Sequence, residues 1–172
     1  MRRSPKDVYL RFIEFEEKAA AIYLRLASHF SSRNRKLSAL WLDMAIEEKQ
    51  HAGLLQFCVG EHLFAQKLPS DDEIREFTTL FRMLEKRAAG ESLDASGAFG
   101  IAAELEGSEV NAIYSYMTTP LHASMYLLKR KIVTSPFHHN DHLVKAGQNF
   151  TISAPMLKKL ESLKQACAKS WV

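Results

Sequence analysis

A chain of 172 residues with 47% hydrophobic residues holds enough apolar material for one domain with a core of its own. Its 23 basic and 20 acidic residues leave a net charge of +3, a near balance that argues against the clustered basic face of a nucleic-acid binder. Only 7 Gly and 5 Pro, in a composition rich in Ala, Leu, Glu and Lys, argue against a sheet and for long helices.

The opening residues Met1 to Asp7 are basic, but Phe12 is followed by Glu14, Glu16 and Glu17 where a secretion signal would be apolar. No run approaches the length of a membrane span, so the expected setting is the cytoplasm, with no membrane and no nucleic acid as partner. Ser4-Pro5 sets Pro at a first helical position, and Phe12, Phe15, Ala19, Ile22, Leu26 and Phe30 predict a helix over about 5–31. After the polar break Ser31 to Asn34, a stripe of Leu37, Trp41, Met44, Leu55 and Val59 predicts an antiparallel second helix reaching about Gln66.

Leu68-Pro69 ends that pattern, and Ser70-Asp71-Asp72-Glu73 reads as a capping box opening a shorter crossover helix with Ile74, Phe77, Phe81 and Leu84 on one face. Past Gly90, with Ser92 or Asp94 as cap, Phe99, Ala102, Ile113 and Tyr116 mark a third long helix that stops near Thr118-Thr119-Pro120. The fourth carries Met125, Leu128, Ile132, Leu143 and Ala146, and Pro136 within it predicts either a kink or a restart. Lys129, Arg130 and Lys131 read as a solvated face of this helix. Ser153 to Pro155 opens a tail helix whose Leu157, Leu160, Leu163 and Cys167 are set to dock on the bundle or on a partner subunit. Cys58 and Cys167 form no CxxC pair and read as small packed side chains. The expected organisation is a four-helix bundle over 1–150 and a tail helix over 151–172.

Acids and histidines fall on the apolar stripes. Glu16 lies among Phe12, Ala19 and Tyr23, with Glu14 and Glu17 as its competitors; Glu48 and His51 lie among Trp41, Met44 and Leu55. Glu106 and Glu109 share a face with Phe99, Ala102 and Ile113, and His139 and His142 share one with Leu128, Ile132 and Ala146. Ionised carboxylates cost several kcal/mol each in a core unless they are paired, protonated or bound to metal. No Lys or Arg shares these stripes, whereas two divalent cations would neutralise four carboxylates, with imidazoles completing the coordination. The bland alternatives are a solvated face at Glu106 and Glu109, a chance ExxH at Glu48 and His51, and a His139 turned away by Pro136. Tyr23, Tyr114 and Tyr116 read as core residues, and His138 and Asp141 as solvent-facing.

Height along the bundle is a separate criterion, because residues on antiparallel helices meet when they stand equally far from the connecting turn. Glu16 and Glu48 are centred on position 32, inside the first turn, and Glu106 and His139 on the break from Thr118 to Ser124. The spacing within the two pairs is 32 and 33 residues, which describes an internal two-fold repeat.

With Glu16, Glu48-Lys49-Gln50-His51, Glu106-Gly107-Ser108-Glu109 and His139-Asn140-Asp141-His142 in place, the chain resembles the rubrerythrin branch of the ferritin-like family over roughly residues 5 to 147. The resemblance implies an all-α, ferritin-like four-helix bundle with a crossover helix, holding two irons between a Glu on the first helix, ExxH on the second, Glu on the third and ExxH on the fourth. It departs on the fourth helix, where HxxH puts His139 in place of a Glu; imidazole ligates iron, zinc or manganese but does not bridge two metals as a carboxylate does. The rubredoxin domain of rubrerythrins, with its CxxC pairs, is absent, so a redox cycle implies an external electron donor. The expected function is a di-iron oxidoreductase that reduces peroxide or dioxygen while oxidising ferrous iron, in a homodimer. The alternative is a non-catalytic ferritin-like bundle with one metal or none, serving storage, sensing or interaction.

Overall fold

Helices here begin where a side chain takes over donors that a first turn leaves unpaired. Ser4 and Asp7 form a reciprocal capping box at α1 (Pro5–Phe30), and Asn34 accepts from the Leu37 amide at α2 (Arg35–Gly60). Ser70 and Glu73 form the second capping box, at α3 (Asp71–Ala88), and Asp94 accepts from the Gly97 amide at 2.7 Å to open α4 (Ala95–Met117). The last two helices are α5 (Tyr126–Asn149), one element that continues through Pro136, and α6 (Ala154–Lys169). The computed structural model describes residues 3–65, 67–117, 126–150 and 152–169, with side chains described except at 109–117, 126–137 and 167–169. The stop near Thr118 to Pro120, and the side chains of Lys129, Arg130, Lys131 and Cys167, lie outside the described residues.

The chain departs from the expected reach of α2. The helix stops at Gly60 because His62 takes a left-handed conformation (φ 55°), and the Leu63 amide donates back to Cys58 O at 2.8 Å. This is a helix-terminating arrangement that usually recruits glycine. The apolar Leu63 and Phe64 prolong the hydrophobic pattern without prolonging the helix; instead Phe64 meets Tyr9 edge-on at 5.1 Å, and the Tyr9 hydroxyl receives the Ala65 amide.

Four long helices form the bundle, and contacts between them fix their directions. Tyr23 stacks on Trp41 and Ser38 donates to Ala27 O, so α1 and α2 are antiparallel. Trp41 also meets Phe99 at 5.1 Å, which sets the beginnings of α2 and α4 side by side and makes these helices parallel. A parallel pair needs a connection that spans the bundle, and α3 provides it. Asp71 pairs with Arg3 beside the start of α1, Phe81 stacks on Phe15, and Arg87 reaches Glu104. Its 18 residues climb roughly 27 Å. Phe150 returns to Phe99, so α5 runs antiparallel to α4. This is the all-α ferritin-like architecture expected from the sequence.

The tail helix packs on α4 and α5. A Cβ on Gly147 would stand 2.7 Å from Ile152 Cδ1, and one on Gly107 would stand 3.2 Å from Leu163 Cδ2, so both glycines permit its close approach. Asp141 then receives Lys164 from α6 at 2.5 Å and Lys145 at 2.7 Å. Among the described residues, no helix is long and apolar enough to cross a membrane.

Candidate metal centre

At mid-height the hydrophobic interior is interrupted by Glu16 of α1, Glu48 and His51 of α2, Glu106 of α4 and His139 of α5. None is more than 4% exposed. Ala19, Ala52, Ala102 and Ala103 sit close by in sequence and are equally buried, and their small side chains leave volume for carboxylates and rings. Above this level the Tyr23, Trp41 and Phe99 cluster closes the core.

His51 Nδ1 lies 2.8 Å from Glu48 Oε2 and 3.6 Å from Glu16 Oε2. His139 Nδ1 lies 3.5 Å from Glu48 Oε1 and 3.3 Å from Glu106 Oε2, and the two imidazole centroids are 4.9 Å apart. The Tyr23 hydroxyl donates to Glu106 Oε1 at 2.8 Å. Glu48, His51 and His139 each offer a ligand atom within 4.8 Å of the other two, a separation that a single cation spans.

Crowding sets the electrostatics. Burial pushes the Glu48 carboxyl well above the usual carboxylate range, and the carboxylates of Glu106 and Glu16 push it further, against the pull of His139. Burial alone would lower His139, but the surrounding Glu106, Glu48 and Glu47 outweigh it and raise the imidazole well above its ordinary value. Glu47 moves the other way: its partial burial is outweighed by His139, with His142 and His51 contributing, and its carboxyl stays below the usual range.

Both oxygens of Glu16, Oε1 of Glu48 and Oε2 of Glu106 are buried without a hydrogen bond. Among the described residues, no lysine or arginine makes an ion pair with any of the three. Buried acceptors left in this condition are costly in a protein of carbon, nitrogen and oxygen alone. They are what oxygen-preferring divalent cations require, and the imidazoles add nitrogen donors suited to iron, zinc and manganese. The donor set fits a metal.

Of the seven residues expected from the sequence, five meet in this cluster: Glu16, Glu48, His51, Glu106 and His139. The side chain of Glu109 lies outside the described residues. His142 is exposed, as is His138, while Asp141 is half-buried between its lysines. The exposure of His142 has a physical reason. Asn140, Leu143, Val144 and Gly147 form the buried arc of this part of α5 because α6 covers that flank, and His142 falls on the other side. One group is added: Glu47, 30% exposed, makes an ion pair with His139 Nε2. It lies one residue off the stripe, where periodicity does not look, although it faces α5 at the height of His139.

No curated protein and no solved structure matches the chain. A family model described as Rubrerythrin matches residues 11–82, the stretch that contains Glu16, Tyr23, Glu47, Glu48 and His51 and stops short of Glu106 and His139. That match and the all-helical architecture are consistent with a ferritin-like, rubrerythrin-like protein.

Proposed function

We propose that this protein binds a pair of iron ions in the bundle interior and acts as a cytoplasmic, homodimeric oxidoreductase, reducing peroxide or dioxygen with oxidation of ferrous iron. The observation that carries the reading is the set of buried carboxylate oxygens without hydrogen bonds on Glu16, Glu48 and Glu106, facing two imidazoles. A bound ferrous pair supplies two electrons, which with two protons reduce one hydrogen peroxide to two waters. The chain's residues do the holding and orienting. Tyr23 fixes one oxygen of Glu106 and leaves the other turned to His139. Glu16 keeps both oxygens unclaimed for ligation. The aromatic lid of Tyr23, Trp41 and Phe99 keeps bulk water from one end of the site. Turnover of such a site would require an external electron donor.

Anaerobic titration with ferrous iron, followed by one equivalent of peroxide, tests this. Two irons per chain and consumption of the peroxide are expected; one metal per chain with no peroxide consumption sinks it. A second reading has its own support, since Glu48, His51 and His139 by themselves bring one carboxylate and two imidazoles within reach of a single ion. On that reading the protein is a one-metal storage, sensing or interaction bundle, and zinc saturates it at one per chain.

A further inference from the structure

We propose that Glu47 is a positioning residue for His139, holding its ring in the Nε2–H form so that Nδ1 presents a lone pair to the metal site. The inference rests on the metal reading above and concerns a residue outside the ligand pattern from which that reading came.

The geometry is two-sided. His139 is 1% exposed, and its Nδ1 edge faces inward to Glu48 Oε1 at 3.5 Å and Glu106 Oε2 at 3.3 Å. Its Nε2 edge stands on the opposite side, in ion-pair contact with Glu47 Oε2, the two atoms close but not aligned as a hydrogen bond. A neutral imidazole has one N–H and one lone pair, and the partner of one nitrogen decides what the other can do. If Nδ1 carried the proton, it would donate to Glu48 or Glu106 and be lost as a ligand. An ionised Glu47 has only acceptor oxygens, so the form it favours is the one with the proton on Nε2. Glu47 is 30% exposed, on the solvent side of the ring, whereas Glu48 beside it is fully buried. One turn of α2 thus supplies an inner carboxylate to the site and an outer one to the back of a ring from α5. Carboxylates behind metal-binding imidazoles set ring orientation and basicity, and their removal commonly weakens metal affinity 10- to 100-fold.

The arrangement also accounts for a histidine at position 139. A glutamate there would bring its carboxylate to the side of Glu47, where like charges oppose each other; the imidazole is attracted to it.

Histidine-selective ¹⁵N labelling and two-bond ¹⁵N–¹H correlation spectra of the full chain, with zinc as the diamagnetic probe, test the proposal. The expected wild-type result is a His139 ring with zinc on Nδ1 and a proton on Nε2. Glu47→Leu should weaken zinc about tenfold or more and free the ring to exchange tautomers, while Glu47→Gln, which keeps an acceptor oxygen, should restore the Nε2–H form. Zinc on Nε2 of His139, or a Glu47→Leu spectrum identical to wild type, overturns the proposal. If Glu47→Leu does not fold, the wild-type tautomer still decides. If no zinc binds, the metal reading has failed, and the tautomer is read on the metal-free protein at alkaline pH: a proton on Nδ1 would overturn the role of Glu47 as well.

Discussion

The two halves of the bundle contribute unequally to the centre. The α1–α2 hairpin brings Glu16, Glu47, Glu48 and His51 and lies largely within the matched stretch; α4 and α5 bring Glu106 and His139 from outside it. The first half is held by its own contacts: the Tyr23–Trp41 stack, Ser38 on Ala27 O and the Glu17–Lys49 ion pair. The second half is braced by the tail helix. The lesson is that the departure at His139 is met from the other half, because the carboxylate facing its ring comes from α2. A substitution on one side of a bundle core is interpretable only with the helix it faces.

Substitutions test how far that comparison extends. The largest effect is expected at the seam, where Trp41 joins Tyr23 to Phe99; Trp41→Ala should cost about 3–5 kcal/mol in a urea unfolding curve. A cost under about 1 kcal/mol would mean that the halves do not depend on this contact. Next is Glu48→Ala. It removes the residue that both imidazoles face, so metal affinity should fall about 100-fold, roughly 2.7 kcal/mol, with circular dichroism still helical. Unchanged metal content would remove Glu48 from the centre.

A smaller effect sharpens the relation across the halves. His139→Glu should raise affinity for a second ferrous ion only when combined with Glu47→Gln, giving a coupling of roughly 1–2 kcal/mol in a double-mutant cycle followed by anaerobic titration. Additive effects would separate the two residues. The smallest change concerns the brace. Lys145 and Lys164 hold the Asp141 carboxyl down to about 2, so its contribution is complete above its unfolded value near 3.8 and fades as pH falls towards 2. Asp141→Asn should therefore lower the melting temperature slightly at pH 6 and not at pH 2; an equal loss at both would assign the effect to packing.

Much of the fold was legible because local chemistry and long-range packing agree. Ser4, Ser70 and Asp94 act as caps where the sequence places caps, and among the described residues the stripe of α1, with Leu37, Trp41, Met44 and Leu55 of α2 and Ile74, Phe81 and Leu84 of α3, is buried. Glu16, Glu48, His51, Glu106 and His139 were visible as polar residues on apolar stripes at matched heights from two turns. What periodicity leaves out is rotation imposed by a neighbour. Asn140 and Val144 lie on the buried side of α5, where α6 packs beside Gly147, and His142 lies outside it, which no property of α5 taken alone contains. Glu47 escapes for a related reason, since its relevance comes from the ring opposite it. The end of α2 at Gly60 was hidden because a histidine takes the left-handed turn that glycine usually marks.

The route of the chain through α3 also bears on the order in which the molecule assembles. Glu16, Glu48 and His51 become neighbours once a hairpin with a four-residue turn, Ser31 to Asn34, has closed. Tyr23 and Glu106 are 83 residues apart, and their contact waits for the whole crossover. Closing the longer loop costs more chain entropy, and non-local contacts slow folding. A nascent chain therefore passes through a stage at which the first hairpin already gathers two carboxylates and an imidazole while Glu106 and His139 are still unplaced. Metal captured at that stage would favour the hairpin and speed its formation, and metal added only after folding would meet a finished interior with no such kinetic benefit.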